Sequence, residues 1–513
     1  MGLDSMPREG STFRTLGSTA ADVINSARMV ELSWEGKCRT AEAQEAKSEH
    51  CARRAVPLRV PLWVCVRESM RLLFLVLGFV YLAARLFMRR WLLTGRAHSK
   101  GFEVPALSIL NGDLGARMPY EPPGLGAEQL TNRESMRIGV NLLYLRPDQV
   151  GGGEIFVRHL VEALERRAGV CSVLFCNKLS AETFDATESM TVITVSARGS
   201  SLQNRLLDEN LTLRRHLRRQ GIEVLLTPIS IGPLVPLGIP QVVTVHDLLH
   251  TQVKDQFSPL ERWGRTLLTG LSILRSAHVI AVSDFTRDMV IARFPIAAHR
   301  ISRVYEGVVS DLRPPPDRIQ EVRDAYKLKA DYFFYPAMLT PHKNHVFLLR
   351  AFAKFLDRAG PDTARLVLTG KQTPYLDVIL AEIERLSLQD HVRYLGLIPR
   401  GDLLAVLAGA TAVLYPSRFE GFGLPVLEAM QCGVPVAASD VSSLPEVAGD
   451  AALLLPAGVL GEWVDAMLRL SLDNELRARL VCRGKKNASR FSWDKCARQS
   501  VIILEKVVAD YKK

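Results

Sequence analysis

The stretch Ser417-Arg-Phe-Glu-Gly-Phe-Gly-Leu-Pro-Val-Leu-Glu428 decides the fold, because it sets two carboxylates around a glycine-rich turn. On one continuous helix, the spacing from Glu420 to Glu428 would correspond to a rise of about 12 Å. The two glycines between them permit a tight turn instead, and Pro425 suits the first position of a helix. The pattern therefore predicts Glu420 in a loop, Glu428 near the start of a helix, and free backbone N–H groups between them. Such a site could bind an anionic, hydroxyl-rich ligand.

The chain upstream of this stretch has the pattern of a Rossmann-like domain. An apolar run over 138–143 predicts a strand, which leads to the triple glycine 151–153 and then to apolar residues at helical spacing. Strand, glycine-rich loop and helix in this order favour a phosphate-approach site, with a merely flexible loop as the alternative. The strand over 242–247 ends at His246, which lies either at the ligand crevice or in a structural hydrogen bond. Ser283 is expected to cap a helix.

A second domain of the same kind follows the triple proline 314–316. Its first strand is predicted over 332–336, and the loop after it carries Lys343, a cation suited to a diphosphate. A solvated surface lysine is the alternative. Four further apolar runs alternate with helical patterns, which is typical of a parallel α/β sheet: 366–369, 392–395, 412–415 and 436–438.

The segment Glu420–Glu428 resembles the E-x7-E signature of the retaining, nucleotide-sugar-dependent glycosyltransferases of family 4, and the resemblance runs from about 137 to 513. It implies the α/β GT-B fold, in which two Rossmann-like domains face a central cleft. It also implies that Glu428 binds the donor ribose, that Glu420 and His246 contact the donor sugar, and that Lys343 stabilises the departing diphosphate. The remaining donor-binding residues that the resemblance implies are Gly152, Gly153, Gly370, His342, Arg418, Gly421, Phe422, Gly423 and Leu424.

The sequence departs from the family at one position. Family members usually have an arginine shortly before the lysine, whereas Met338 and His342 stand at the corresponding positions here. One bidentate phosphate contact is therefore in doubt, since histidine binds phosphate less specifically than arginine. This departure is the only support for an inactive GT-B scaffold or a glycan-binding protein. The sequence also leaves open a GT-B sugar-nucleotide epimerase and a phosphorylase.

The resemblance also suggests the substrates. The amino-acid sequences of residues 305–308 and 342–345 are most similar to those of mannosyl- and rhamnosyltransferases of polysaccharide assembly. We therefore expect GDP-mannose as donor, with UDP-glucose next. No D-x-D motif occurs in the sequence, so we expect a metal-independent enzyme without a cofactor. The acceptor is expected to be a glycan or a lipid-linked glycan.

The charge of the chain is concentrated near its beginning. Of the net charge of +11, +9 lies in residues 53–100, so the basic balance does not indicate a nucleic-acid partner. The same window contains thirteen uncharged, mostly apolar residues over 72–84, flanked by arginines. A spanning helix needs about 20 residues, so the segment either spans with snorkelling arginines or lies on the membrane, and a buried core helix is the alternative. We expect a location at the cytoplasmic face of a membrane.

These patterns divide the 513 residues into six parts. We predict a disordered region over 1–55, a basic membrane-associated segment over 56–96 and a linker over 97–135. The acceptor domain follows over 136–310, the nucleotide-sugar domain over 311–490, and a final helix over 491–513 that returns to the first domain. Because Met136 directly precedes the first strand, a further hypothesis is that translation begins there.

Overall fold

The computed structural model describes residues 135–147, 151–196, 202–328 and 330–513. Within these residues the chain forms two parallel β-sheets, each flanked by helices. The predicted disordered region 1–55, the membrane segment 56–96 and the linker up to residue 134 lie outside the described residues. In the part of the chain that is described, no helix combines the length and apolar content that a bilayer crossing requires.

The first sheet has seven strands in the order β3-β2-β1-β4-β5-β6-β7, all paired in parallel. The strands are β1 (Met136–Leu142), β2 (Val170–Asn177), β3 (Met190–Ser196), β4 (Val224–Thr227), β5 (Gln241–Val245), β6 (His278–Ala281) and β7 (Ile301–Arg303). Its α-helices are α1 (Gly152–Glu165), α2 (Lys178–Ala181), α3 (Leu202–Leu207), α4 (Leu213–Arg219), α5 (Leu249–Gln252), α6 (Pro259–Arg275) and α7 (Asp284–Arg293). A π-helical turn (Asp208–Thr212) joins α3 to α4, and 3₁₀ turns cover Lys254–Gln256 and Ala298–Arg300.

The second sheet has six parallel strands in the order β10-β9-β8-β11-β12-β13. The strands are β8 (Tyr332–Pro336), β9 (Arg365–Thr369), β10 (Val392–Tyr394), β11 (Ala412–Tyr415), β12 (Val436–Ser439) and β13 (Leu453–Leu455). Its helices are α8 (Pro316–Ala325), α9 (His345–Ala359), α10 (Leu376–Arg385), α11 (Arg400–Ala408), α12 (Leu424–Gln431), α13 (Leu444–Ala448), α14 (Leu460–Leu472) and α15 (Asn474–Ala488). Two 3₁₀ turns cover Pro341–Lys343 and Gly449–Ala451.

Apolar periodicity explains why these elements form and pack. The predicted helical stripe of Phe156, Leu160 and Leu164 lies on α1, which packs against β2, and all three side chains are buried. The central strands of both sheets are buried, mostly apolar runs, as expected of a parallel sheet that is covered on both faces. The two-domain prediction for the α/β fold is therefore confirmed, and the predicted strands of the second sheet match within about one residue.

The last helix, α16 (Trp493–Tyr511), leaves the second sheet and packs on the first. It contacts α1, β4 and β6, and Ser492 caps its first turn through the N–H of Lys495. The backbone of Trp493 lies so close to Gly307 that a Cβ there would stand 2.2 Å from the Trp493 nitrogen. The chain therefore connects the two domains twice: once where it passes from the first to the second near residues 304–316, and again where α16 returns to the first.

Candidate functional site

In each sheet the order of strand addition reverses between two central strands. In the first sheet β1 lies beside β4, and in the second β8 lies beside β11, so the chain winds outward in both directions from each pair. Parallel α/β sheets bind ligands at the carboxyl ends of strands beside such a switch point. Two residues predicted for the site follow the switch-point strands of the second sheet, Lys343 after β8 and Glu420 after β11. His246 follows β5, the neighbour of β4 in the first sheet.

Lys343 and Glu420 form an ion pair at the centre of this region. The Nζ of Lys343 lies 2.5 Å from Oε1 of Glu420 and 3.3 Å from the hydroxyl oxygen of Tyr415, and both charged side chains are largely buried. Burial acts to raise the pKa of Glu420, but the charge and hydrogen bond of Lys343 outweigh it and lower that pKa. Burial, followed by the charge of Glu420, raises the pKa of Tyr415 well above its ordinary value. The site therefore holds an ionised carboxylate and an ammonium group in contact.

The glycine-rich turn after Glu420 is fixed by its backbone. The N–H of Glu420 donates to Oγ of Ser442 over 2.9 Å, and Oγ of Ser443 donates to the carbonyls of Glu420 and Phe422. Among the hydrogen bonds of the described residues, none uses the backbone N–H of residues 421–423 as donor. These N–H groups agree with the predicted free donors between the two carboxylates.

Gly421 touches the other half of the molecule. A Cβ at this position would stand 1.8 Å from the carbonyl oxygen of His246, so only glycine allows the approach. The carbonyl of Gly421 accepts a hydrogen bond of 2.7 Å from Oγ of Ser283, which also accepts the N–H of Thr286 as the predicted cap of α7. The loop of the second domain therefore lies directly against β5 and α7 of the first.

Glu428 is the fifth residue of α12 and points to the first residue of α11. Its carboxylate pairs with both terminal nitrogens of Arg400: Nη1 lies 3.3 Å from Oε2, and Nη2 contacts Oε1. The Glu428 side chain is 10% exposed and that of Arg400 36% exposed. Two parallel N–H···O contacts of this kind fix the orientation of a carboxylate. The prediction placed Glu428 near the start of a helix, and Arg400 was not anticipated.

His246 has an acceptor at each ring nitrogen. Nδ1 lies 2.9 Å from Oε1 of Glu306, and Nε2 lies 3.2 Å from the carbonyl oxygen of Pro228. Burial acts to lower the pKa of His246, but the hydrogen bond and charge of Glu306 outweigh it and raise the pKa. The imidazole packs edge-on against Phe156 of α1, with ring centroids 4.6 Å apart. Both nitrogens serve internal partners, so a ligand contact would need the Pro228 bond to be given up.

His342 and Arg418 contact the first domain. Nδ1 of His342 donates to Oε1 of Gln256 over 2.8 Å, and Nη2 of Arg418 lies 3.2 Å from Oδ2 of Asp255. Burial, followed by the charge of Lys343, lowers the pKa of His342 to about 4, so this histidine is neutral at pH 7. Two predicted donor-binding residues therefore bridge the two halves beside Lys343.

The remaining predicted donor-binding residues divide into two groups. Gly152 and Gly153 lie in the exposed first turn of α1, where an added Cβ would meet nothing within 4 Å. Gly370 follows β9 with φ +156°, and a Cβ there would stand 2.1 Å from the carbonyl oxygen of Ala337. Phe422 and Leu424, by contrast, are buried, and Phe422 packs against Tyr305 and Phe491. Only the backbone of these two residues can meet a ligand.

Glu446 lies at the first turn of α7. Its carboxylate accepts the backbone N–H of Asp284 over 2.7 Å and of Phe285 over 3.1 Å. A carboxylate at a helix N-terminus pairs with N–H groups that have no partner inside the helix. Glu446 is on the second domain and α7 on the first, so this cap joins the two.

Sequence reasoning missed four participants: Arg400, Glu306, Tyr415 and Glu446. Each contacts a residue that is distant in sequence, and no short motif predicts such a pair. Only Arg400 carried a local signal, as a cation at the start of the helix that follows β10 after a short loop.

Comparison with known proteins identifies the family. The model of the group 1 glycosyl transferases matches residues 318–487, and that of glycosyltransferase family 4 matches residues 150–312. The O-antigen chain mannosyltransferase B of Escherichia coli is 36% identical over 225 residues, which cover 44% of this chain and 59% of that protein. The chain spans about three fifths of the length of the curated relatives that it matches.

Solved structures show the same fold. Sucrose-phosphate synthase from Thermosynechococcus elongatus superposes with a TM-score of 0.62 at 20% identity, over 73% of this chain and 100% of that chain. Anabaena HepE in complex with UDP-glucose superposes with a TM-score of 0.59 at 19% identity, over 72% of this chain and 100% of that chain. The two sheets, the switch-point site and the two family matches lead to one conclusion: the chain belongs to the group 1 glycosyltransferases with the GT-B fold.

Proposed function

We propose that this protein is a retaining hexosyltransferase that moves a hexose from a nucleotide-diphosphate sugar to a glycan or lipid-linked acceptor. The observation that carries the proposal is the buried Lys343–Glu420 pair beside free backbone N–H groups, with His246 directly across the interface. Cation and N–H donors suit a diphosphate whose charge grows as the bond to the sugar breaks. Carboxylate acceptors suit sugar and ribose hydroxyls.

Each residue has a role in this proposal. Lys343 and the N–H groups of residues 421–423 stabilise the departing diphosphate, and Glu420 contacts the donor sugar. Glu428 accepts the ribose hydroxyls. His246 is oriented by Glu306 at Nδ1, and its Nε2 contacts the donor sugar once the bond to the Pro228 carbonyl is given up. Retention then uses attack from the face that the diphosphate leaves, without a protein nucleophile, and the enzyme needs neither metal nor cofactor.

GDP-mannose is the proposed donor, and polysaccharide or glycoconjugate assembly the proposed setting. Its support is the similarity to an O-antigen chain mannosyltransferase. UDP-glucose is the next candidate, since a neighbour in fold was solved with it. The acceptor is proposed to be lipid-linked, at the cytoplasmic face of a membrane that the segment 56–96 contacts. Deletion of residues 1–96 should release the protein from membranes without loss of turnover on a soluble acceptor.

An inactive GT-B scaffold is the second candidate. It is favoured by the missing arginine and by the internal pairing of Lys343, Arg400 and Arg418 with carboxylates. Purified protein is to be tested for thermal stabilisation and donor hydrolysis with GDP-mannose, UDP-glucose, UDP-GlcNAc and dTDP-rhamnose, with and without EDTA. Stabilisation and hydrolysis with one donor, unchanged by EDTA, would support the transferase and its metal independence. No response to any of the four would favour the scaffold.

A further inference from the structure

The contact between Arg400 and Glu428 supports one further inference, about how the nucleotide is recognised, and this inference rests on the proposed function. Among the hydrogen bonds of the described residues, Arg400 is the only side-chain donor to the Glu428 carboxylate. Both terminal nitrogens of the guanidinium take part, one toward each carboxylate oxygen. The two residues belong to different helices, α11 and α12, whose first turns both follow strands of the second sheet.

The geometry leaves the carboxylate able to bind something else. An ionised carboxylate offers about four acceptor positions, and the guanidinium fork occupies two of them. The Glu428 side chain retains 10% exposure, so part of it still faces outward. Two vicinal hydroxyl groups, such as those of a ribose, match two remaining acceptor positions on a carboxylate whose rotation is blocked. A carboxylate that is free to rotate would bind the same diol less well, because its side chain would first have to be ordered.

We propose that Arg400 is a positioning residue, which fixes the Glu428 carboxylate so that the protein distinguishes a ribonucleotide from one without ribose hydroxyls. Arg400 itself does not touch the reacting atoms. A merely structural ion pair between α11 and α12 would affect the binding of both kinds of nucleotide equally. The two roles therefore differ in one measurable quantity, the ratio of the two dissociation constants.

The experiment measures the dissociation constants of GDP and 2′,3′-dideoxy-GDP, and of UDP and its 2′,3′-dideoxy form, by calorimetry on the full chain. Two hydrogen bonds to a charged group are worth about tenfold each, so the wild type should prefer the ribonucleotide by about 100-fold. In Arg400→Gln this preference should fall below about tenfold. In Arg400→Lys it should fall by at least about tenfold, because one ammonium group cannot orient both oxygens. Glu428→Gln should lose the preference as well.

Arg350→Gln is the matched control. Arg350 pairs with Glu382, whose side chain is as buried as that of Glu428, but this pair joins α9 and α10. The control should keep the full preference. An unchanged preference in Arg400→Gln, or in Arg400→Lys if the first variant does not fold, would overturn the positioning role while leaving the proposed function in place. If the wild type binds none of the four nucleotides, GDP- and UDP-sugars are excluded as donors of the proposed function, and the positioning role fails.

Turnover gives a second readout once a donor is known. A ribose contact is made equally in the ground state and the transition state, so its loss should raise KM for the donor and leave kcat nearly unchanged. Arg400→Gln should raise KM by about tenfold or more with kcat within about threefold of wild type. A fall in kcat at constant KM would contradict the proposal.

Discussion

At the residue scale, Gly421 is the position where backbone geometry is most demanding. The Cβ that any other residue brings would stand 1.8 Å from the carbonyl oxygen of His246, and contacts under 3.0 Å force the backbone to move. Gly421→Ala should therefore separate the loop from β5, displace Glu420 and reduce donor turnover by about 100-fold or more, since small misplacements of this kind are costly. Initial rates with saturating donor measure the effect.

Gly461→Ala is the control for that substitution. Gly461 lies in the first turn of α14, where an added Cβ meets nothing within 4 Å, so turnover and thermal stability should stay close to wild type. Wild-type turnover in Gly421→Ala would show that the contact with His246 is absent in the active protein.

The pair Lys343–Glu420 predicts a dependence of stability on pH. The pKa of Glu420 is lowered in the folded state, so its contribution is present above the ordinary value of 4.5 and is lost as the pH falls through the folded pKa. Lys343→Met leaves a buried carboxylate without its partner, and should lower the free energy of unfolding by about 3–5 kcal/mol at pH 7. The difference from wild type should shrink as the pH falls from 7 to 4, because burial without Lys343 raises the pKa of Glu420 in the variant and protonation removes the unpaired charge.

Urea unfolding at pH 7 and pH 4 measures both parts of this prediction. Arg358→Met is the control, because it breaks an exposed pair with Asp465 and should change the free energy of unfolding by at most about 1 kcal/mol. A difference between Lys343→Met and wild type that is the same at both pH values would contradict the assignment.

The sequence predicts single residues well where one motif carries them. The pattern around 420–428 indicated the loop, the start of the helix and the free N–H groups, because glycine and proline restrict the backbone locally. It did not indicate the pairing of Glu428 with Arg400 or of His246 with Glu306, since these partners meet only after the sheets have formed. Their separations of 28 and 60 residues obey no local rule.

At the element scale, the N-terminus of α7 is where one domain caps a helix of the other. The Glu446 carboxylate accepts the N–H groups of Asp284 and Phe285, and Ser283 accepts that of Thr286. Glu446→Ala should therefore leave two N–H groups without an acceptor. We expect faster amide hydrogen exchange at these two positions and a loss of about 1–2 kcal/mol in the free energy of unfolding.

Glu261→Ala is the matched control for Glu446→Ala. Glu261 completes a capping box at the start of α6 by accepting the N–H of Ser258, and it does so within one domain. Its loss should speed exchange at Ser258 and leave α7 unchanged. If Glu446→Ala left exchange at Asp284 and Phe285 as slow as in wild type, the cap across the domains would be excluded.

The elements themselves were more predictable than their partners. The strand over 332–336 was predicted to the residue, because apolar patterning is a local property. Ser442 and Glu446, which follow β12, stabilise the glycine-rich loop and α7, and no local pattern indicates these partners. The hydrogen-bond partner of a polar residue depends on how the two sheets pack, and apolar periodicity does not predict that packing.

At the scale of the whole molecule, the two halves meet in two patches of different character. The inner patch joins Gly421 and Glu446 to α7, and its residues are buried or half-buried. The outer patch joins Arg418 to Asp255, whose side chains are 44% and 61% exposed. Lys343 lies in the loop that the outer patch borders, so under the proposed function we expect a leaving nucleotide to pass this contact between exposed charges.

Arg418 therefore has two possible roles, which a double-mutant cycle separates. If the Arg418–Asp255 pair closes the outer patch, Arg418→Ala and Asp255→Asn should each speed nucleotide release severalfold, and the double variant should be no faster than either one. Raising NaCl from about 0.05 to 0.5 M should speed release from wild type, where the exposed pair is screened, and change the variants less. Stopped-flow displacement of a fluorescent nucleotide measures the rates. If Arg418 binds the donor directly, as the sequence predicted, Arg418→Ala alone would speed release and Asp255→Asn would leave the rate unchanged.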